Sequence, residues 1–279
     1  MAQPAFTTLE PAYQLHVYLC FKTWRLRPHF ADQVVRDLLQ EVAYDVCGRG
    51  EFHLLEAQAS PDHFRLLLSL KPEQAVSRVV KALKGNLSRT LGQRFTATEP
   101  WLGRGYFARS SGKADLETVQ SYVASQVAHH GYRGEWTEAL QFVNPGFRSP
   151  AFQLPHSVAI LNYHFVFATQ NRAAIFDDAV AANLFHYIVA VGAKHTFEVE
   201  RISVLPDHVH LIVEALPSLS VSEIALALMN NTAHWMGTRY WGVLKQTNAW
   251  DVWQPSYYAG TVGDYTTADV KRFLELGGE

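Results

Sequence analysis

Two histidines, His208 and His210, are the residues whose type and spacing most directly suggest chemistry. They lie in an apolar run that predicts a β-strand, and side chains at positions i and i+2 of a strand project from the same face of a sheet. Two imidazoles on one face can hold a single divalent cation if further ligands come from elsewhere. A hydrogen-bonded or exposed pair without a metal is the commoner meaning of this motif, so the pair alone leaves both interpretations open.

A tyrosine, Tyr122, is the second candidate, because a phenol can attack a phosphate once it is activated. It lies in a segment with a suitable helix N-cap at Asp115, and Gln126 follows one helical turn later on the same face. An aromatic residue half-buried on a helix, with no chemical role, is the alternative interpretation.

These candidates belong to two copies of one repeat, because four blocks of sequence recur in the same order. Within the longest block, seven of twenty positions are identical. Such ordered recurrence predicts two homologous units rather than two unrelated domains. The matched blocks are 15–18 with 163–166, 61–72 with 206–217, 76–95 with 221–240, and 105–108 with 256–259.

The repeat predicts a first unit at residues 10–130, a linker at 131–157 and a second unit at 158–279. The linker contains the turn and helix-breaking residues Asn144, Pro145 and Gly146. Both units share the predicted element order βαββαβα, which is typical of a ferredoxin-like α+β fold. In the second unit the predicted strands are 163–168, 197–205, 208–215 and 257–262, and the predicted helices are 177–194, 221–240 and 266–276.

Each unit lacks the chemistry that the other keeps. In the first unit His63 and Arg65 take the positions of the histidine pair, and arginine stays protonated and cannot bind a metal. In the second unit Phe273 and Gly277 take the positions of the tyrosine and the glutamine, and phenylalanine has no hydroxyl to act as a nucleophile. Independent decay would more often leave one whole and one ruined site. The complementary loss therefore predicts one composite site, with its histidines from the second unit and its tyrosine from the first.

Further motifs accompany these residues along the chain. They are Tyr163 to Thr169, Leu205 to Leu211 with its Pro-Asp-His-Val-His core, the helix from Val221, and Trp253 to Tyr258. Together with Tyr122 they make both units resemble the single-domain IS200/IS605-type transposases, which are Y1 members of the HUH endonuclease superfamily. The resemblance covers nearly all of both units but not the linker.

The resemblance implies a homodimer in family members, in which the histidine pair of one subunit meets the tyrosine helix of the other. Here it implies a monomeric pseudo-dimer that nicks and joins single-stranded or hairpin DNA at one composite site. His208 and His210 match the HUH pair, Tyr122 matches the nucleophile that forms a 5′-phosphotyrosine, and Gln126 matches a third ligand of Mg2+ or Mn2+. The opposite composite site is expected to be inactive, and its residues are His63, Arg65 and Phe273.

Charge favours DNA binding only in the first unit. The chain has 24 Lys and Arg against 26 Asp and Glu, a net charge of −2, which by itself argues against a nucleic-acid binder. The first 140 residues carry 16 basic against 14 acidic residues and the remainder 8 against 12, so phosphate contacts are expected in the first unit. The candidate DNA-contact residues are Lys22, Arg25, Arg78, Lys81, Lys84, Arg89 and Arg94.

Two structural alternatives apply to this surface. The basic residues could form a solvated helix face with no partner. Trp24, Tyr106 and Phe107 are available for stacking on bases, although a place in the core is the commoner role for such aromatics.

Composition excludes several classes of protein. The chain is 48% hydrophobic and 18% charged, which excludes disorder over most of its length. It has neither an apolar run of the roughly 18–20 residues that a membrane helix needs nor the N-terminal pattern of a secretory signal. Its two cysteines, Cys20 and Cys47, exclude a disulfide framework and a four-cysteine zinc site, and they fit a reducing, cytoplasmic location.

Two other functions remain open from the sequence. A non-catalytic binder of hairpin or single-stranded DNA, such as a domesticated regulator, would bind DNA equally well in a chelator, and Arg65 would suit a phosphate contact there. A metal-dependent nuclease that uses water instead of tyrosine would leave free DNA ends and no covalent adduct.

Overall fold

The protein folds into two six-stranded sheets with helices packed against them. The structure is a computed structural model, and it describes residues 4–112, 114–124, 140–148, 152–154, 156–249, 251–264 and 273–274. Within those residues no helix is long and apolar enough to cross a membrane. Cys20 and Cys47 are both buried and carry free thiols.

The first unit has the predicted order of elements, preceded by an extra strand. A short 3-10 turn at Trp24–Leu26 follows the second strand. The elements are β1 (Glu10–Gln14), β2 (His16–Lys22), α1 (Gln33–Arg49), β3 (His53–Ala59), β4 (His63–Ser69), α2 (Val76–Arg94), β5 (Phe107–Ser111) and α3 (Leu116–Ala124).

The second unit repeats this order. Of its predicted closing helix, the structure describes Phe273 and Leu274, which are helical. The elements from the linker onward are β6 (Leu140–Val143), β7 (Phe152–Leu154), β8 (Ser157–Ile160), β9 (Asn162–Ala168), α4 (Asp178–His195), β10 (Phe197–Leu205), β11 (His208–Ala215), α5 (Val221–Arg239), α6 (Trp241–Gln246) and β12 (Ser256–Val262).

The inner four strands of both sheets have one topology. Their orders are β3-β4-β2-β5 in the first unit and β10-β11-β9-β12 in the second, with antiparallel neighbours throughout. This is the ferredoxin-like arrangement that the element order predicted, so the chain is an α+β protein of two tandem ferredoxin-like domains. Apolar residues of the helices and of alternate strand positions join in one core cluster.

Local signals explain why corresponding helices begin where they do. Asp32 caps α1 by accepting a hydrogen bond from the backbone N–H of Val34, and Asp177 caps α4 in the same way at Val180. The helix α5 begins with a capping box, in which Ser220 and Glu223 satisfy each other's backbone N–H groups.

The outer strands are exchanged between the two units. β1 of the first unit pairs in parallel with β12 of the second, and β8 at the start of the second unit pairs in parallel with β5 of the first. Each chain segment that enters a unit therefore pairs with the last strand of the other unit before crossing into its own sheet. Pairing partners of short edge strands depend on tertiary packing, so the repeat did not predict this exchange.

Two strands lie inside the predicted linker. β6 pairs antiparallel with β10, and β7 pairs antiparallel with β8. Phe142 of β6 stacks on Phe185 of α4 with ring centroids 5.2 Å apart. The turn residues of this segment therefore separate short strands rather than forming a linker without regular structure.

Reciprocal hydrogen bonds join the units and reveal an approximate two-fold symmetry. The backbone N–H of Ser77 donates to the Pro217 carbonyl at 2.8 Å, and that of Ser222 donates to the Pro72 carbonyl at 2.9 Å. These four residues are equivalent in pairs under the repeat. The loop at Gly105 also approaches the segment between the units closely, because a Cβ at that position, where φ is +73°, would lie 1.5 Å from the carbonyl oxygen of His156.

The strand register corrects one block of the repeat. Thr23 and Thr169 are equivalent, because their hydroxyls have matching partners. Each hydroxyl contacts the carbonyl four residues later and the carbonyl of the aspartate that precedes the histidine strand, Asp62 or Asp207. In β2, Tyr18 pairs with Leu67, as His164 in β9 pairs with Ile212. Tyr18 is therefore the counterpart of His164, and the sequence match of 15–18 with 163–166 was wrong by two residues.

Candidate active site between the two units

The histidine pair lies on the central strand β11, on the face opposite the core helices. His208 and His210 are 3% and 4% exposed, whereas the alternate residues Val209 and Leu211 belong to the apolar core. The two imidazoles have ring centroids 5.1 Å apart at an interplanar angle of 65°. Strand periodicity therefore places both rings side by side on one face, as their spacing predicted.

Asp207 fixes the orientation of His208 from the turn between β10 and β11. Its Oδ1 accepts a hydrogen bond from His208 Nδ1 at 2.6 Å, and its Oδ2 accepts one from Arg172 Nε at 2.8 Å. With Nδ1 bonded to a carboxylate, the nitrogen that His208 can offer to a cation is Nε2.

A third histidine, His164 on β9, lies against His210. His164 Nε2 is 3.0 Å from His210 Nδ1, and the rings are stacked with centroids 5.3 Å apart and an interplanar angle of 14°. Burial lowers the pKa of His164 to about 4, so its ring is neutral near neutral pH. Sequence reasoning missed this residue as a site candidate, because it served only as a marker in the misaligned block of the repeat.

Tyr122 reaches this face from the first unit. The helix α3 packs against β10 and β11, and the Tyr122 ring stands nearly perpendicular to both stacked imidazoles. Its centroid is 6.0 Å from that of His210 and 6.4 Å from that of His164. The side chain is 42% exposed.

A polar contact attaches α3 to the second unit's sheet. Gln120, two residues before the tyrosine, donates from Nε2 to Oε1 of Glu200 on β10. Burial raises the pKa of the Glu200 carboxyl. This contact helps to hold the tyrosine helix over the histidine strand although the two elements come from different units.

A second tyrosine borders the same face. Tyr258 on β12 is 39% exposed, and its ring centroid is 6.0 Å from that of His164 at an angle of 67°. His164 therefore lies between two phenol rings, one from each unit.

The equivalent face of the first unit has lost this arrangement. His63 keeps its contact with the preceding aspartate, at 2.7 Å from Nδ1 to Asp62 Oδ1. Arg65 stands in place of His210, and its Nη2 donates to Gln58 Oε1 at 2.5 Å. Phe273 is only 1% exposed and packs on Phe107 with ring centroids 5.8 Å apart.

Phe273 covers a buried lysine rather than a metal-binding face. The ammonium of Lys22 lies 5.1 Å from the centre of the Phe273 ring, and burial lowers the pKa of that lysine. Lys22 was predicted to contact DNA, but with 6% exposure it is not on a surface that DNA could reach.

The other basic candidates divide between surface and interior. Lys84 is turned inward, with Nζ donating to the carbonyls of Gly103 at 2.7 Å and Gly105 at 2.5 Å, and its pKa falls to about 8 because of burial and the charge of Lys22. Its role is to hold a loop, which differs from the predicted DNA contact. The exposed members of the set are Arg25, Arg78, Lys81, Arg89 and Arg94.

Two imidazoles are the candidate metal ligands on this face. Among the described residues no group of three or more His, Cys, Asp or Glu side chains is arranged to hold a metal ion. Gln126, the predicted third ligand, lies outside the described residues. The side-by-side imidazoles nevertheless fit a cation site, because the Nδ1 atoms contact Asp207 and His164 and coordination by either ring would therefore be through Nε2.

Comparisons with known proteins agree with this architecture. The family model for "Transposase IS200 like" matches residues 11–126 and again 157–276. The ISDra2 transposase TnpA of Deinococcus radiodurans is 29% identical over 115 residues, which cover 41% of this chain and 82% of that protein. The crystal structure of a transposase-like protein from Deinococcus radiodurans R1 aligns with 44% of this chain and 97% of its own, at 22% identity and a TM-score of 0.35. A score that low carries no inference of its own.

Proposed function

The chain belongs to the family of IS200-like transposases, and from this premise we propose that it nicks and joins single-stranded DNA at one composite site. The observation that supports the proposal is the position of Tyr122 from the first unit against the imidazole of His210 from the second, with ring centroids 6.0 Å apart. The face that would form a second such site carries Arg65 and Phe273 in place of a histidine and a tyrosine.

Tyr122 is the proposed nucleophile. Its phenol oxygen attacks the phosphorus of a DNA phosphodiester, so that a tyrosine–phosphorus ester forms while the bond from phosphorus to the 3′ oxygen breaks. The phenolic proton is lost and the departing oxygen is protonated, which gives a 5′-phosphotyrosine and a free 3′-OH. Because the number of phosphodiester bonds is conserved, a 3′-OH can reverse the step and join the strands.

His208 and His210 are the residues that we propose to hold a divalent cation, Mg2+ or Mn2+, together with Gln126. When bound, the cation supplies positive charge that stabilises the phosphate as negative charge develops on it. His208 and His210 would each supply an imidazole nitrogen and Gln126 an amide oxygen, which would leave coordination positions for phosphate oxygens and water. Asp207 acts on this centre indirectly, by orienting His208.

The proposed partner is single-stranded or hairpin DNA, bound in part by the basic side of α2. Arg78, Lys81, Arg89 and Arg94 are exposed on this helix, whereas its apolar residues face the core. Arg25 is exposed in the 3-10 turn beside Trp24. These guanidinium and ammonium groups suit contacts to phosphates, which position a strand without reading its sequence.

Covalent trapping tests the proposal. The protein is mixed with hairpin-containing single-stranded oligonucleotides and Mn2+, denatured, and examined for a DNA-shifted band whose site of attachment is mapped by mass spectrometry. We expect an adduct at Tyr122 that disappears in Tyr122→Phe and in His208→Ala. Two variants serve as controls and keep the adduct: Phe273→Tyr in the inactive face, and Tyr44→Phe on the exposed side of α1.

Other outcomes would contradict the proposal. An adduct that survives Tyr122→Phe assigns the nucleophile elsewhere, with Tyr258 as the nearest alternative. Hairpin binding that is tight, insensitive to chelator and free of any adduct identifies a non-catalytic DNA binder. Cleaved DNA with free ends and no adduct identifies a nuclease that uses water.

A further inference from the structure

His164 is the point where the histidine pair and the tyrosine helix meet. Its ring stacks on His210, stands perpendicular to the ring of Tyr122 from the other unit, and contacts Tyr258 from β12. Its backbone lies on β9, which pairs directly with the histidine strand β11. The position is therefore fixed by the sheet and not by a loop.

The contact between His164 and His210 can run in two directions, with different consequences. If His164 Nε2 donates its proton, His210 Nδ1 is the acceptor. The hydrogen of the His210 ring is then on its Nε2, and that nitrogen cannot bind a cation. If His210 Nδ1 donates, His164 Nε2 is the acceptor and His210 Nε2 keeps a lone pair. The nitrogens are 3.0 Å apart and the rings are nearly parallel, so this geometry allows a hydrogen bond in either direction.

We propose that His164 is a positioning residue, which accepts the Nδ1 proton of His210 and so presents His210 Nε2 to the catalytic cation. The inference rests on the proposed function, since it concerns the same metal-binding pair. His208 is held in the same tautomer by the carboxylate of Asp207, at 2.6 Å. The two ligands are thus oriented by different acceptors, one anionic and one neutral.

The first unit supports this assignment by contrast. Tyr18 stands at the position of His164, and its ring packs edge-on against Phe107 at 6.1 Å. In that unit Arg65 replaces the histidine that His164 would orient. His164 and His210 are thus both present in the second unit and both replaced in the first. Asp62 and His63, the counterparts of Asp207 and His208, are retained there.

The contact with Tyr122 gives His164 a second effect on the site. A ring that stacks on His210 and also borders Tyr122 sets the distance between the cation ligand and the nucleophile, which belong to different units. Loss of the His164 ring is therefore expected to disturb the positions of both His210 and Tyr122. Loss of the acceptor nitrogen alone is expected to affect only His210. This difference determines the choice of variants.

Binding of Mn2+ to the free protein, followed by electron paramagnetic resonance, tests the assignment without relying on activity. His164→Phe keeps an aromatic ring but has no acceptor, and we expect it to weaken Mn2+ binding by about 10- to 100-fold, the usual cost of losing such an orienting partner. His164→Gln restores an acceptor near the position of Nε2 and should recover most of the affinity. Tyr18→Phe, at the equivalent position in the first unit, is the matched control and should bind Mn2+ like the unmodified protein.

The tautomer itself is measurable by nitrogen-15 NMR of the imidazole rings, with and without diamagnetic Mg2+. We expect His210 to carry its proton on Nδ1 in the unmodified protein and to lose that preference in His164→Phe. Observation of the Nε2–H tautomer for His210, or equal Mn2+ affinity in all three variants, would overturn the assignment. Circular dichroism and thermal unfolding identify any variant that fails to fold, in which case His164→Gln and the NMR measurement decide.

Failure of this inference is distinguishable from failure of the proposed function. If the unmodified protein binds no Mn2+ and forms no adduct at Tyr122, the proposed function is at fault. If it binds Mn2+ and forms the adduct while His164→Phe does both equally well, only the role of His164 is wrong.

Discussion

The carboxylate of Asp207 makes two contacts at the edge of the candidate site, one to His208 and one to Arg172. The first unit contains a near copy of this arrangement, in which Asp62 bonds His63 at 2.7 Å. The copy lacks a second histidine, because Arg65 occupies the next position on that face. Each unit therefore has an aspartate bonded to a histidine, but only Asp207 lies beside a pair of imidazoles, whereas Asp62 lies beside one.

This duplication allows a controlled prediction. Asp207→Asn removes the carboxylate that orients His208, and we expect the affinity for Mn2+ to fall about tenfold or more. Asp62→Asn makes the same change in the first unit and should leave Mn2+ affinity unaltered. Titration of both variants with Mn2+ by electron paramagnetic resonance is the measurement, and an equal effect of the two substitutions would contradict the assignment of the metal site to the second unit.

Residue types and spacing alone singled out His208, His210 and Tyr122, because strand and helix periodicity states which side chains share a face. His164 escaped notice because one misaligned block hid the fact that its counterpart is a tyrosine. Lys22 and Lys84 were predicted to contact DNA from their charge, but burial and hydrogen bonding to carbonyls depend on tertiary structure. Charge at a sequence position does not reveal which way a side chain turns.

At the scale of elements, α2 and α5 are equivalent helices with different surroundings. Lys84 of α2 corresponds to Met229 of α5, which is fully buried. The lysine reaches two carbonyls of the loop that carries Gly105, whereas the methionine packs in the apolar core. An ammonium in this interior position is desolvated, which is why its pKa falls to about 8 from the ordinary value of 10.5.

The lowered pKa predicts a pH dependence of stability. Above about pH 8 the folded protein releases the Lys84 proton, whereas the unfolded chain keeps it until about 10.5. The unfolded state binds more protons in this window, so the free energy of unfolding should rise with pH across it. We expect Lys84→Met to reduce that rise, and Lys81→Met, an exposed neighbour on the same helix, to leave it unchanged. Urea unfolding at several pH values between 8 and 10 measures the difference, and identical slopes for all three proteins would contradict the prediction.

The helices and inner strands could be predicted from sequence because the repeat supplied each pattern twice. The predicted strands and helices of the second unit agree with β9 to β12 and with α4 and α5 to within a few residues at their ends. The exchanged strands β1 and β8 could not be predicted, since three to five residues carry little periodicity and their partners lie in the other unit. The same limit applies to β6 and β7 in the predicted linker.

At the scale of the whole molecule, the exchange interlocks the two units. β1 extends one sheet and β8 the other, and the reciprocal bonds of Ser77 and Ser222 connect the first turns of α2 and α5 to proline carbonyls of the opposite unit. The helix α3 adds a third contact, because it lies on the sheet of the second unit. The covalent connection between the units is therefore one of several links.

Cleavage in the predicted linker tests how strong these links are. We expect a protein cut by a site-specific protease at a recognition sequence inserted between residues 131 and 139 to remain one particle, because backbone hydrogen bonds of the exchanged strands persist. Native mass spectrometry and size-exclusion chromatography measure the association. Two separate fragments in non-denaturing buffer would show that the connection, rather than the exchange, holds the units together.

The exchange also constrains how the chain is made. β1 leaves a ribosome well before its partner β12, because Glu10 of β1 pairs with Ser256 of β12. While the residues between them are translated, the nascent chain therefore carries a strand whose N–H and C=O groups have no native partner, which is a template for pairing with other chains. The five residues from Glu10 to Gln14 are thus a segment of the newborn protein that is open to mispairing until β12 has been made.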